Sequence, residues 1–104
     1  MISTSVRNLF HDVLAWIEFG TYPLEEICIR FHHKLVYIHP FPNGNGRHSR
    51  IMADFLLRSL GLPLFSWGSG ANLTPASKSR MGYIDALRLA DAGDCTALLA
   101  FAKA

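Results

Sequence analysis

Apolar residues recur at steps of three and four along most of the chain, and no stretch shows a clean period of two. That is the pattern of helices packed on one face. Val6, Leu9, Phe10, Val13, Leu14 and Ile17 form a first stripe, with Ser3, Thr4 and Ser5 as candidate N-caps and Gly20 as the stop. Leu24, Ile27, Cys28, Phe31, Leu35 and Ile38 form a second. Pro23 suits its first turn, and Glu25 and Glu26 favour its positive end. Pro40, Pro42, Gly44 and Gly46 exclude helix, so His39 to Asn45 reads as a loop. A third helix is expected from near Gly46, with Ile51, Met52, Phe55, Leu56 and Leu60 facing the core and Gly61 and Pro63 ending it. Leu64 to Asn72 is a Gly/Ser-rich connection. Thr74 and Pro75 then open a helix carrying Met81, Ile84, Leu87 and Leu89. Gly93 breaks it, and Asp94 can cap a last helix holding Leu98, Leu99 and Phe101. The expected fold is all-α, a compact array of about five helices with one loop of special composition between the second and third.

Composition narrows the class. The chain has 104 residues, enough for one small domain, and half of them are hydrophobic, which argues against disorder. The net charge of +2 is too small to argue nucleic-acid binding. Cys28 and Cys95 form no CxxC pair, so a reducing cytoplasm is expected rather than a disulfide scaffold. The first residues show no basic head followed by an apolar run, so a signal peptide is not expected in them. The longest uncharged stretch, Ser59 to Ser77, carries three glycines and two prolines and is no membrane span. Charge is uneven. From Ile27 to Arg58 there are five basic residues and one acid, together with four of the five histidines, which favours an anionic ligand there.

The segment HPFPNGNGRHSR, from His39 to Arg50, carries the candidate chemistry. A Gly-rich turn runs into a helix N-terminus, where unpaired N–H groups and the helix dipole attract anions. Gly44 and Gly46 let the backbone approach such an anion, and Asn45 adds an amide. Arg47 and Arg50 lie three apart and share a face, and both suit phosphate through forked hydrogen bonds. His39 stands at the other lip as a candidate base, and Phe41 as a loop anchor. No Gly-Lys-Ser/Thr follows, so this is not a Walker loop. The bland alternatives are a plain interhelical turn, and for Arg50 a surface pair with Asp54; Arg30, Lys34 and Arg58 read as a solvated face. A metal reading of Cys28, His32, His33, His39 and His48 finds no HExxH or paired CxxC, so no direct protein ligands are assigned. His32 and His33 are expected at the helix surface or partly buried, with backbone partners. Cys28, Trp16, Phe65 and Trp67 read as packing groups.

This segment resembles the Fic signature, HxFx(D/E)GNGRxxR, at every fixed position except the acidic one, which is Asn43 here. The flanking Arg30-Phe31-His32-His33-Lys34-Leu35 and Tyr83-Ile84-Asp85-Ala86-Leu87 look most like the Fic branch called mobile mystery protein B. The resemblance implies an all-α Fic core over residues 1–104 that transfers AMP from ATP to a Ser, Thr or Tyr hydroxyl of a target protein. It implies His39 as the base, Phe41 as the anchor, Gly44, Asn45 and Gly46 as the anion hole, and Arg47 and Arg50 as holders of the β- and γ-phosphates. Tyr83 and the segment from Trp67 to Asn72 are candidate walls of a nucleobase pocket. Asn43 stands at the metal-side position, where a neutral amide is a poor ligand for Mg²⁺. A nucleotide-binding module without turnover is the rival reading. The resemblance also implies that an upstream hairpin flap and an inhibitory helix are missing from these residues, since Thr21 to Glu25 is followed by Glu26 rather than Gly or Asn. A separate inhibitor or antitoxin protein and a homo-oligomer are compatible partners; nucleic acid and membrane are not expected.

Overall fold

A computed structural model describes residues 2–38, 45–67 and 78–104. Among them lie five α-helices and no strand: α1 (Ile2–Phe19), α2 (Leu24–Ile38), α3 (Asn45–Ser59), α4 (Lys78–Asp91) and α5 (Thr96–Lys103). The all-α expectation holds. The chain divides into two compact units, Met1–Pro63 and Leu64–Ala104.

In the first unit α2 packs on both α1 and α3. Leu9 and Val13 of α1 meet Ile27, Phe31 and Leu35 of α2, and Trp16, Ile17, Tyr22, Ile38, Met52 and Leu56 close around them. Burying such side chains contributes roughly 1.5–3 kcal/mol each. The amphipathic reading of α1 is right in period but too wide: Phe10 and Leu14 stay exposed on its flank. The helix also starts earlier than its candidate caps, so Ser3, Thr4 and Ser5 lie inside its first turns. Pro23 sits just before α2, and its carbonyl accepts the Ile27 N–H at 3.0 Å.

On α3 the expected face is rotated. Ile51 and Phe55 are exposed, whereas Ser49, Ala53 and Leu57 are buried, with Met52 and Leu56 beside them. Small side chains at positions 49 and 53 let α3 approach α2 closely, and close approach outweighs the apolarity of Ile51 and Phe55 in choosing the inward face. The helix ends in a Schellman motif: Leu62 N–H reaches the Leu57 carbonyl at 2.9 Å and Gly61 N–H the Arg58 carbonyl at 3.1 Å, with Gly61 at φ +72°.

In the second unit α4 packs on α5. Tyr83, Ala86 and Ala90 point inward with Cys95, Leu98 and Ala102, while Met81 and Leu89 are exposed. The N-cap of α5 is Cys95, which makes no side-chain capping bond, so Asp94 is not the cap it was expected to be; from one position earlier its Oδ1 accepts the Thr96 N–H at 3.0 Å, a local turn bond at the start of the helix. That bond holds its carboxyl below the usual carboxylate range. Thr74 and Pro75 lie outside the described residues.

Candidate active site

α2 ends at Ile38 and α3 begins at Asn45, so the second half of the signature lies in helix, as expected from near Gly46, and the helix takes in Asn45 as well. His39, Phe41, Asn43 and Gly44 fall outside the described residues. Asn45 and Gly46 supply the first backbone N–H groups of α3, and an α-helix has no internal partner for its first four. A positive helix end is thereby placed at the Gly-Asn-Gly-Arg sequence, the position an anion would take.

Arg47 is exposed and Arg50 half-buried, both within the first two turns of α3. Their spacing brings them to one side of the helix. No acidic residue stands in the first turn to cancel the dipole. Helix end and two guanidinium groups together suit a polyanion.

Behind this surface the side chains are polar, which sequence periodicity missed. His32 is fully buried and His33 is 4 % exposed, both on the inward face of α2. They are buried more deeply than the surface or partly buried place expected of them, and the backbone partner expected of His32 is found at Ser49. The inward arc of α2 spans Ile27, Cys28, Ile29, Phe31, His32, His33 and Leu35, wider than one stripe, because α1 and α3 cover it from two sides. The available signal was the position of the histidines between Phe31 and Leu35. Burial pushes the His32 imidazole down to about 4, and the nearby charges of Arg50 and His33 act in the same direction. A backbone hydrogen bond at Ser49 opposes them. Ser49 is itself buried, and its Oγ has no hydrogen-bond partner among the described residues.

Other candidates resolve as packing. Cys28 is buried, and burial followed by the charge of Glu25 pushes its thiol up to about 12, so it is inert as a nucleophile. Tyr83 is buried in the second unit, its ring 5.1 Å from that of Phe101. Phe65 and Trp67 meet edge-on at 5.3 Å. Among the described residues no three His, Cys, Asp or Glu side chains group as a metal site, and no helix is long and apolar enough to cross a membrane. Arg30 is not on a solvated face: it is drawn into an ion pair with Glu26 and over the ring of Tyr22.

A family model described as Fic/DOC family matches residues 3–57, from the start of α1 to the last turn of α3. The chain belongs to the Fic/DOC family. It is 36 % identical over 89 residues to a probable protein adenylyltransferase of Aquifex aeolicus, covering 85 % of this chain and 25 % of that protein. It is 37 % identical over 70 residues to the protein adenylyltransferase Fic of Aedes aegypti, covering 67 % of this chain and 12 % of that protein. Among solved structures, Fic-1 from C. elegans is similar with a TM-score of 0.64 at 26 % identity, covering 94 % of this chain and 28 % of that one. The chain thus spans a quarter or less of the length of these curated relatives. The Fic/DOC match ends at residue 57, so it contains the whole signature and both arginines.

Proposed function

We propose that this Fic/DOC chain is the core of a protein adenylyltransferase, moving AMP from ATP to a Ser, Thr or Tyr hydroxyl of a target protein. The observation that carries this reading is the start of α3 within the signature, with Arg47 and Arg50 on one side of its first two turns. The names of the relatives, protein adenylyltransferases, support it.

The chemistry follows from the residue types. The α3 N–H groups at Asn45 and Gly46 bind the phosphate chain on its β side, and Arg47 and Arg50 neutralise the β- and γ-phosphates. His39 takes the proton of the target hydroxyl, whose oxygen attacks the α-phosphorus. The bond from that phosphorus to the bridging oxygen breaks, and pyrophosphate leaves on the two arginines. Positioning and charge neutralisation supply most of the acceleration in such a transfer. Phe41 anchors the loop that carries His39. Mg²⁺ carried by ATP would find at Asn43 a neutral amide, so phosphate and water oxygens would hold it. The cytoplasm, which supplies ATP and keeps Cys28 and Cys95 reduced, is the proposed compartment.

Incubation with α-labelled ATP and candidate targets tests the reading. Label should appear on protein with the wild type and disappear with His39→Ala. Absence of label, or label unaffected by His39→Ala, would overturn it. Asn43 favours a second reading, nucleotide binding without turnover. That reading gives saturable ATP binding, sensitive to Arg47→Ala and Arg50→Ala, with no label transferred.

A further inference from the structure

Two histidines occupy the inward arc of α2, and one of them touches α3 where the two arginines sit. His32 has no exposed surface. A leucine would fill that space without a polar atom to desolvate, so an imidazole there is costly unless a hydrogen bond repays it. Nδ1 of the ring has no hydrogen-bond partner among the described residues, so the bond that the ring makes, to the backbone of Ser49, runs through Nε2, and it favours the protonated ring. That is the behaviour of a ring N–H donating to a carbonyl oxygen. A carbonyl already used in a helix ladder keeps a second lone pair, so the contact adds to the ladder of α3 without breaking it.

The place of this contact gives it meaning. Ser49 is 1 % exposed and Ala53, one turn on, is fully buried, so α3 lies closely on α2 at this level. Arg50 follows Ser49 directly, and Arg47 precedes it by two residues. A slip of one residue along α3 would turn both arginine positions by about 100° around the helix axis. An apolar interface alone resists such a slip weakly, because Ile51 and Phe55 stand one residue away from an alternative inward face.

We infer that His32 is a positioning residue for phosphate binding: its buried ring N–H holds the Ser49 carbonyl and so fixes the turn of α3 that presents Arg47 and Arg50. This rests on the reading of that turn as the phosphate site. A neutral imidazole carries a single N–H, so the bond to Ser49 also selects the tautomer.

The test compares wild type with His32→Leu, which removes the donor, and His32→Gln, which returns an N–H donor at similar reach. Ile27→Val, a cavity change elsewhere on α2, serves as the packing control. Amide hydrogen exchange is read on the protein without nucleotide. In His32→Leu, protection from Ser49 to Ala53 should fall about fivefold to tenfold more than protection in the last turns of α3. His32→Gln should restore most of it, and Ile27→Val should lower α2 and α3 evenly. ATP affinity by calorimetry should fall with His32→Leu and recover with His32→Gln. Equal exchange in His32→Leu and His32→Gln would overturn the inference, as would unchanged ATP affinity in a His32→Leu protein that still folds. If His32→Leu does not fold, exchange in His32→Gln and His32→Asn decides: the shorter Asn should lose the local protection that Gln keeps, and equal protection overturns the inference. Failure of wild type to bind any adenine nucleotide would instead remove the phosphate reading, while the exchange comparison would still judge the contact between α2 and α3.

Discussion

The guanidinium of Arg30 lies over the ring of Tyr22, 4.2 Å from its carbon to the ring centroid. The same group donates from Nε to Glu26 Oε2 at 2.7 Å, and the Tyr22 ring meets Trp16 edge-on at 5.5 Å. One side chain on α2 therefore clamps the turn after α1, where Thr21 N–H reaches back to the Trp16 carbonyl. Arg30 and Glu26 are only about a quarter exposed, so this pair is screened less than a surface one. Arg30→Met keeps the length of the side chain and removes its charge. It should cost about 1–2 kcal/mol in urea unfolding. A midpoint unmoved by the change would show that the clamp contributes packing alone.

Acid should weaken the fold through His32. Its folded value, about 4, lies below the ordinary 6.5. Between these values the unfolded chain takes up a proton that the folded chain refuses, so stability falls as pH drops from about 6.5 towards 4. Burial opposes its protonation most, and the charges of Arg50 on α3 and His33 on its own helix act the same way, against the hydrogen bond at Ser49. The full difference amounts to about 3 kcal/mol. Urea midpoints measured from pH 7 to pH 4.5 should fall more steeply in wild type than in His32→Gln. Parallel curves would contradict the assignment.

Gly61 tests a backbone cost with packing removed. Its φ is +72°, and a Cβ added there would meet no atom within 4 Å. Gly61→Ala should therefore destabilise by about 1 kcal/mol through conformation alone, and Gly61→Asn by less, because Asn tolerates the left-handed region. Equal midpoints for the two variants would mean that the Schellman turn is not kept in solution.

Asn43→Asp should raise Mg²⁺-dependent transfer of label from α-labelled ATP, since a carboxylate is a better ligand for a hard dication than an amide oxygen. Titrating Mg²⁺ against initial rate measures it. No gain at any Mg²⁺ concentration would remove the ligand argument for Asn43.

Much of this fold is legible in the sequence. Glycine punctuation placed three helix ends, at Gly20, Gly61 and Gly93, each with positive φ. The arginine spacing and the helix start near Gly46 were also readable, because a strong local signal fixes both. The inward face of α3 was not, since apolarity selects Ile51 and Phe55 whereas close helix approach selects Ser49 and Ala53. His32 and His33 escaped for the same reason: their burial depends on α3 lying across α2, a contact between segments that no single-helix pattern contains.

Trp67 holds its backbone at φ +53°, an unusual place for a bulky residue, and its N–H reaches the Ala102 carbonyl at 2.8 Å. The final helix thus fastens a distant point of the connecting segment. Nicking by a carboxypeptidase as far as Phe101 would unbuckle residue 67, thirty-odd positions upstream, and let its main chain relax into an ordinary extended shape.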